Sequence, residues 1–143
     1  MTPHRRRHLD ALATRGIRVH WLFGVYGASR DGLIARSRLV LNLHKAPGSP
    51  FEAVRVAYLL ANRVPVVAEG EPTGDPDARP WMDGVAWAVA DALPAVCAHL
   101  LADAPARAQL AEAGFRVVTQ RPEARYLEAV LDQMADDGVL AAI

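Results

Sequence analysis

Two rhythms of apolar residues alternate along this chain. Residues 5–15 place Leu9, Leu12 and Ala13 at helical spacing, and Gly16 stands where a helix would stop. The next stretch, "IRVHWLF" (17–23), alternates apolar with polar, is rich in β-formers and ends at Gly24, which predicts a strand. "SRDGLIARS" (29–37) predicts a short helix, and the apolar run "RLVLNL" (38–43) a second strand. Ser49, Pro50 and Glu52 then form a capping-box pattern, with Ser49 at the N-cap and proline at the first helical position. The helix it opens, from 50 to about 63, buries Phe51, Val54, Val56, Ala57 and Leu60 and leads into the strand "VPVVAE" (64–69).

"GEPTGDPDARPWMDG" (70–84) is crowded with Gly, Pro and Asp and predicts a loop. "VAWAV" (85–89) is a fourth strand, and helices follow over about 90–102, 104–119 and 123–136. Gly138 closes the last one, and the terminal "LAAI" is expected to be frayed or docked on a neighbour. Strand alternating with helix is the signature of parallel pairing with helices covering the sheet. The expectation is one α/β domain over 1–143, Rossmann-like and three-layered, with about four parallel strands and a helical C-terminal tail. Such sheets take ligands beyond the carboxyl ends of their strands. That points to the loops starting at Gly24, His44, Glu69 and Ala90.

Composition narrows the function classes. A chain of 143 residues with 52% apolar content builds one core rather than two. Sixteen basic residues balance sixteen acidic ones, so no overall field draws the chain to nucleic acid or to an anionic membrane. Cys97 is the single cysteine, which excludes an internal disulfide and fits a reducing compartment, with cytoplasm the expectation. The basic start (His4, Arg5, Arg6, Arg7, His8) is followed by no signal-peptide apolar run, and no stretch is fit to span a bilayer.

Candidate chemistry concentrates near Glu52. As a capping-box residue it would reach back to a backbone N–H and do nothing more. The alternative rests on its surroundings, because Glu52, Arg55, Tyr58 or Leu59, and Asn62 share one helical stripe. At the helix start, free backbone N–H groups meet His44 and Lys45 at a strand end, a fair site for an anion or phosphate. Gly48 lets the backbone approach closely, so a carboxylate there could take sugar hydroxyls while Lys45 neutralises a phosphate.

Other features carry less. Asp75-Pro76-Asp77 resembles an Asp-x-Asp metal motif, yet in a Gly/Pro-rich loop it reads as a turn. His4, His8, His20, His44 and His99 show no zinc-motif spacing with Cys97, so no metal is expected. His20 on its strand, and His99 with Cys97 on a helix, read as structural. Arg5 to Arg7 read as a solvated helix face, and Trp21, Trp81 and Trp87 as core or loop anchors, with Trp81 able to cover a crevice. No Gly-x-Ser-x-Gly elbow, Walker A loop or Gly-x-Gly-x-x-Gly fingerprint is present.

The order of residues in "VYGASRDGLIARSRLVLNLHKAPGSPFEAVRVAYLLANRVPVVAEG" resembles the nucleotide-binding C-terminal half of GT-B glycosyltransferases. It is most similar to the glycosyltransferase group 1 domain shared with CgeB-type spore-maturation proteins. The likeness runs over about 22–131, including "ADALPAVCAHLLADAPARAQLAEAGFRVVTQ" and "ARYLEAVL". It implies a donor site for a nucleotide-diphosphate sugar, with no cofactor and, if transfer occurs, metal-independent chemistry. Carried over, Glu52 holds ribose or sugar hydroxyls, with Gly48 and Arg55 beside it. His44, Lys45 and Ser49 face the diphosphate, and Tyr26 and Gly27 lie near the base. The paired glutamates spaced E-x7-E in many retaining GT-B enzymes are absent, since Pro50 and Tyr58 stand in their places. Set against that resemblance, the sequence is expected to begin after the first two strands of such a half and to be without the acceptor-binding N-terminal domain. The alternative is a non-catalytic, degenerate Rossmann-like module for interaction or dimerisation; an exposed sheet edge would suit a homodimer, or an N-terminal-type domain could join in trans.

Overall fold

Helices cover both faces of a parallel sheet whose middle strand is buried throughout. The computed structural model describes residues 1–137. In chain order it holds α1 (Pro3–Thr14), α2 (Gly27–Ala35), β1 (Val40–Asn42), α3 (Ala53–Ala61), β2 (Val66–Glu69) and β3 (Ala86–Ala88). Then come α4 (Leu93–Ala102), α5 (Ala104–Thr119) and α6 (Glu123–Asp136). The expected closure at Gly138 and the terminal "LAAI" lie outside the described residues.

The sheet has three strands in the order β1-β2-β3, with Val40 opposite Val66 and Val67 opposite Ala86. Pleating divides β2 between two cores. Val66 and Ala68 face Val56, Leu59, Leu60 and Val85, while Val67 faces Leu12, Leu93, Cys97 and Leu100. The first cluster lies under α3 and the second under α1 and α4, which gives the helix–sheet–helix layering of a mixed α/β domain compatible with a Rossmann-like fold.

Two expectations are corrected. Residues 17–23 form no strand, so the described residues contain three strands rather than about four. The β pattern of that segment is real, but a strand needs a partner edge, and here no backbone ladder is made. Ile17 turns inward against the Leu12 cluster, Trp21 lies 5.6 Å from the Arg5 guanidinium, and Phe23 stays 88% exposed. The second correction concerns the start of α3. Ser49 Oγ accepts the Ala46 N–H at 3.1 Å instead of capping a helix, and α3 begins at Ala53 with Glu52 in the N-cap position but making no cap bond. The core residues of α3 are Val56, Leu59 and Leu60, and Val54 is exposed.

The ends of α1 and α3 show why the chain turns where it does. Gly16, at φ 70°, follows α1; its N–H reaches Ala13 O and that of Ile17 reaches Leu12 O, the pair of bonds of a Schellman stop. The same pair closes α3, Arg63 N–H to Leu60 O and Val64 N–H to Leu59 O, with Arg63 in the left-handed region at φ 52°. Arg63 is held there by Glu112 at 2.8 Å and by the Phe115 ring. No helix among the described residues is long and apolar enough to cross a membrane.

Candidate functional site

Beyond the carboxyl ends of β1, β2 and β3 lies a crevice of about 390 Å³, within the usual range for small-molecule sites. One wall is His44, Gly48, Ser49 and Phe51. Glu69 and Gly70 come from the end of β2, and Trp87 from β3. The far wall is the turn-rich connection after β2, with 3₁₀ turns at Pro72–Gly74 and Arg79–Gly84; it supplies Glu71, Asp75 and Pro76. Asp75 Oδ1 accepts the Asp77 N–H at 2.8 Å, so that acidic pair is a turn, as its composition predicts.

The glycine at 70 lets these walls meet. Its φ is 109°, and a Cβ there would stand 3.5 Å from His44 Nε2. That ring nitrogen lies 3.1 Å from Glu69 O, and the His44 N–H donates to Glu69 Oε2 at 3.1 Å. Phe51 and Trp87, with ring centroids 5.1 Å apart, give the crevice an aromatic side.

Behind Glu69 and the end of β1 lies α1, whose basic residues Arg5 to Arg7 the sequence pointed to only as a solvated face. Its stripe of His4, Arg5, His8 and Leu12 turns inward, with His8 and Leu12 buried. Arg5 donates to Leu43 O at 2.9 Å and to His44 O at 3.2 Å, which takes up carbonyls at the end of β1. Arg5 Nη2 also reaches Glu52 Oε1 at 3.1 Å, and Arg55 Nη1 reaches Glu52 Oε2 at 3.0 Å. Both oxygens of Glu52 are therefore engaged by arginines.

His4 Nε2 and His8 Nε2 converge on one oxygen, Glu69 Oε1, at 2.7 and 3.1 Å. Burial alone would raise the Glu69 carboxyl. The charge of His8, the His44 N–H and the bond and charge of His4 outweigh it and hold Glu69 below the ordinary carboxylate range. The signal for this cluster was in the sequence as two histidines four apart on a helix, which share a face. The glutamate that completes it is 65 residues from His4 and visible only in three dimensions. Asn42, at the end of β1, is a second residue missed: it is 2% exposed, and among the described residues its Oδ1 has no hydrogen-bond partner.

The predicted site residues thus separate. His44, Gly48 and Ser49 line the crevice; Lys45 is exposed beside His44. Glu52 and Arg55 form an ion pair outside the lining, and Tyr26, 79% exposed, and Gly27 open α2 and do not line it. Trp81 packs against the α3-side core rather than over the crevice. His20 lies exposed outside any strand, and His99 is exposed on α4. No family model, curated protein or solved structure matches this chain.

Proposed function

We propose that the crevice binds the sugar-bearing part of a nucleotide-diphosphate sugar, making the chain a donor-binding domain of the GT-B glycosyltransferase kind. The observation that carries this reading is the position of the crevice, at the carboxyl ends of a parallel sheet, with aromatic rings and carboxylates together in its walls. Rings offer an apolar face to a sugar, and Glu71, Asp75 and Ser49 offer acceptors to its hydroxyls. Three carboxylates in the lining repel phosphate, so the diphosphate lies at the rim, where Lys45 is exposed. Glu52 serves indirectly, by fixing Arg5 and Arg55. The test is calorimetric titration with UDP, GDP and their hexose conjugates. Saturable binding that weakens in Asp75→Asn for the conjugates and in Lys45→Ala for all of them supports the reading. No heat of binding with any of them overturns it.

A second reading has its own observation. Leu127, Val130 and Leu131 are exposed at helical spacing on α6, an apolar stripe that suits an interaction module. Sedimentation that shows a dimer, lost in Leu127→Glu with the monomer still folded, would favour it.

A further inference from the structure

We infer that His4, His8 and Glu69 form a binding site for a divalent transition-metal ion of the zinc type at the inner end of the crevice. This stands whether or not the crevice takes a nucleotide sugar. The donor atoms of the three residues lie within 4.8 Å of one another. A tetrahedral zinc bound at about 2.0–2.2 Å to nitrogen and oxygen keeps its ligand atoms roughly 3.3–3.6 Å apart. The observed 2.7 and 3.1 Å from Glu69 Oε1 to the two Nε2 atoms therefore need to widen by less than about 1 Å, within reach of side-chain adjustment.

Three further features favour an ion over a plain hydrogen-bonded cluster. The ligands come from rigid elements, His4 and His8 one turn apart on α1 and Glu69 at the end of the central strand. Glu69 is oriented from behind, because the His44 N–H holds its second oxygen. The two-nitrogen, one-oxygen set suits zinc better than magnesium or calcium, which favour all-oxygen shells. Three protein ligands leave a fourth position, the arrangement that carries water or substrate on zinc, and Glu69 also lines the crevice. Arg7 Nη2 stands 3.4 Å from His4 Nδ1 at an exposed position, from which it can swing away when that nitrogen takes the ring proton.

The test uses the full chain without a polyhistidine tag, stripped with chelator and titrated with Zn²⁺ against a chromogenic competitor. A parallel titration with Co²⁺ is read by its visible absorption. One equivalent of zinc, an intense tetrahedral cobalt spectrum, and a loss of affinity greater than about tenfold in His4→Ala and in His8→Ala are expected. His20→Ala and His99→Ala should bind as the wild type does. His4 lies in the first turn of α1 and is the substitution least harmful to folding, so it decides the matter if His8→Ala does not fold. Absence of stoichiometric zinc binding, or affinity unchanged in folded His4→Ala, overturns the site.

Discussion

Arg5 and Glu52, 47 residues apart, are joined by a hydrogen bond of 3.1 Å that fastens the first helix to the start of α3. The same guanidinium serves the carbonyls of Leu43 and His44, so the two ends of this ion pair are unequal. Arg5→Ala takes the side-chain donor from two carbonyls and from one oxygen of Glu52, whose other oxygen keeps Arg55, and a loss of about 2–3 kcal/mol is expected. Glu52→Gln keeps an acceptor for Arg5 and makes no cap bond to lose, so it should cost less than about 1 kcal/mol. Urea unfolding of both variants checks the asymmetry; equal losses would refute it.

Close packing makes a prediction on the other side of the sheet. A Cβ added at Gly114 in α5 would stand 2.6 Å from Leu60 Cδ2 and 3.0 Å from Gly84 O. Leu60 is fully buried and Gly84 O is backbone, so neither yields readily. Overpacking of this kind costs about 1–3 kcal/mol, against a helix-propensity gain of about 1 kcal/mol for replacing glycine with alanine. Gly114→Ala should lower the melting temperature, and a rise would show that α5 can slide away from Gly84.

Acid should weaken the fold through Glu69. Its folded-state pKa lies below the ordinary value of 4.5. The stabilisation it provides is therefore fully present above that value and is lost as pH falls through the lower, folded-state one. The groups facing it are His4 and His8 from α1 and the His44 N–H from the loop after β1. In metal-free protein, the stability gap between wild type and Glu69→Gln should be present just above pH 4.5 and close as the pH falls further. A gap that stays constant through that lower range would contradict the account.

How much of this was legible beforehand depends on how local each cause is. The helix stop at Gly16, the β2 strand and the three C-terminal helices follow from neighbouring residues, and they stand nearly where periodicity puts them. Residues 17–23 failed because a β pattern does not say whether an edge is on hand to pair with. The capping box failed because Ser49 had a competing donor, the Ala46 N–H, three residues away. His44, Gly48 and Ser49, singled out by the rule that ligands sit at strand ends, line the crevice. His4, Arg5 and His8 were missed because a basic run normally faces water, and only tertiary contact turned this one inward.

Cys97 offers a probe of opening. Burial pushes its thiol up to about 11, so native protein at pH 8 holds almost no thiolate there. Iodoacetamide should label Cys97 only through unfolding, with a labelling rate that rises in Gly114→Ala and Arg5→Ala in proportion to their loss of stability. Labelling as fast as that of a free thiol would contradict the burial.

The link from His4 to Glu69 spans 65 residues. During synthesis α1 leaves the ribosome before β2, and its inward-facing histidines and Arg5 have nothing to meet until the central strand has followed. At translation speeds of about 5–20 residues per second that wait lasts several seconds, far longer than a helix takes to form. The docking of α1 on Glu69 is therefore a late folding event made by a segment synthesised well before its partner.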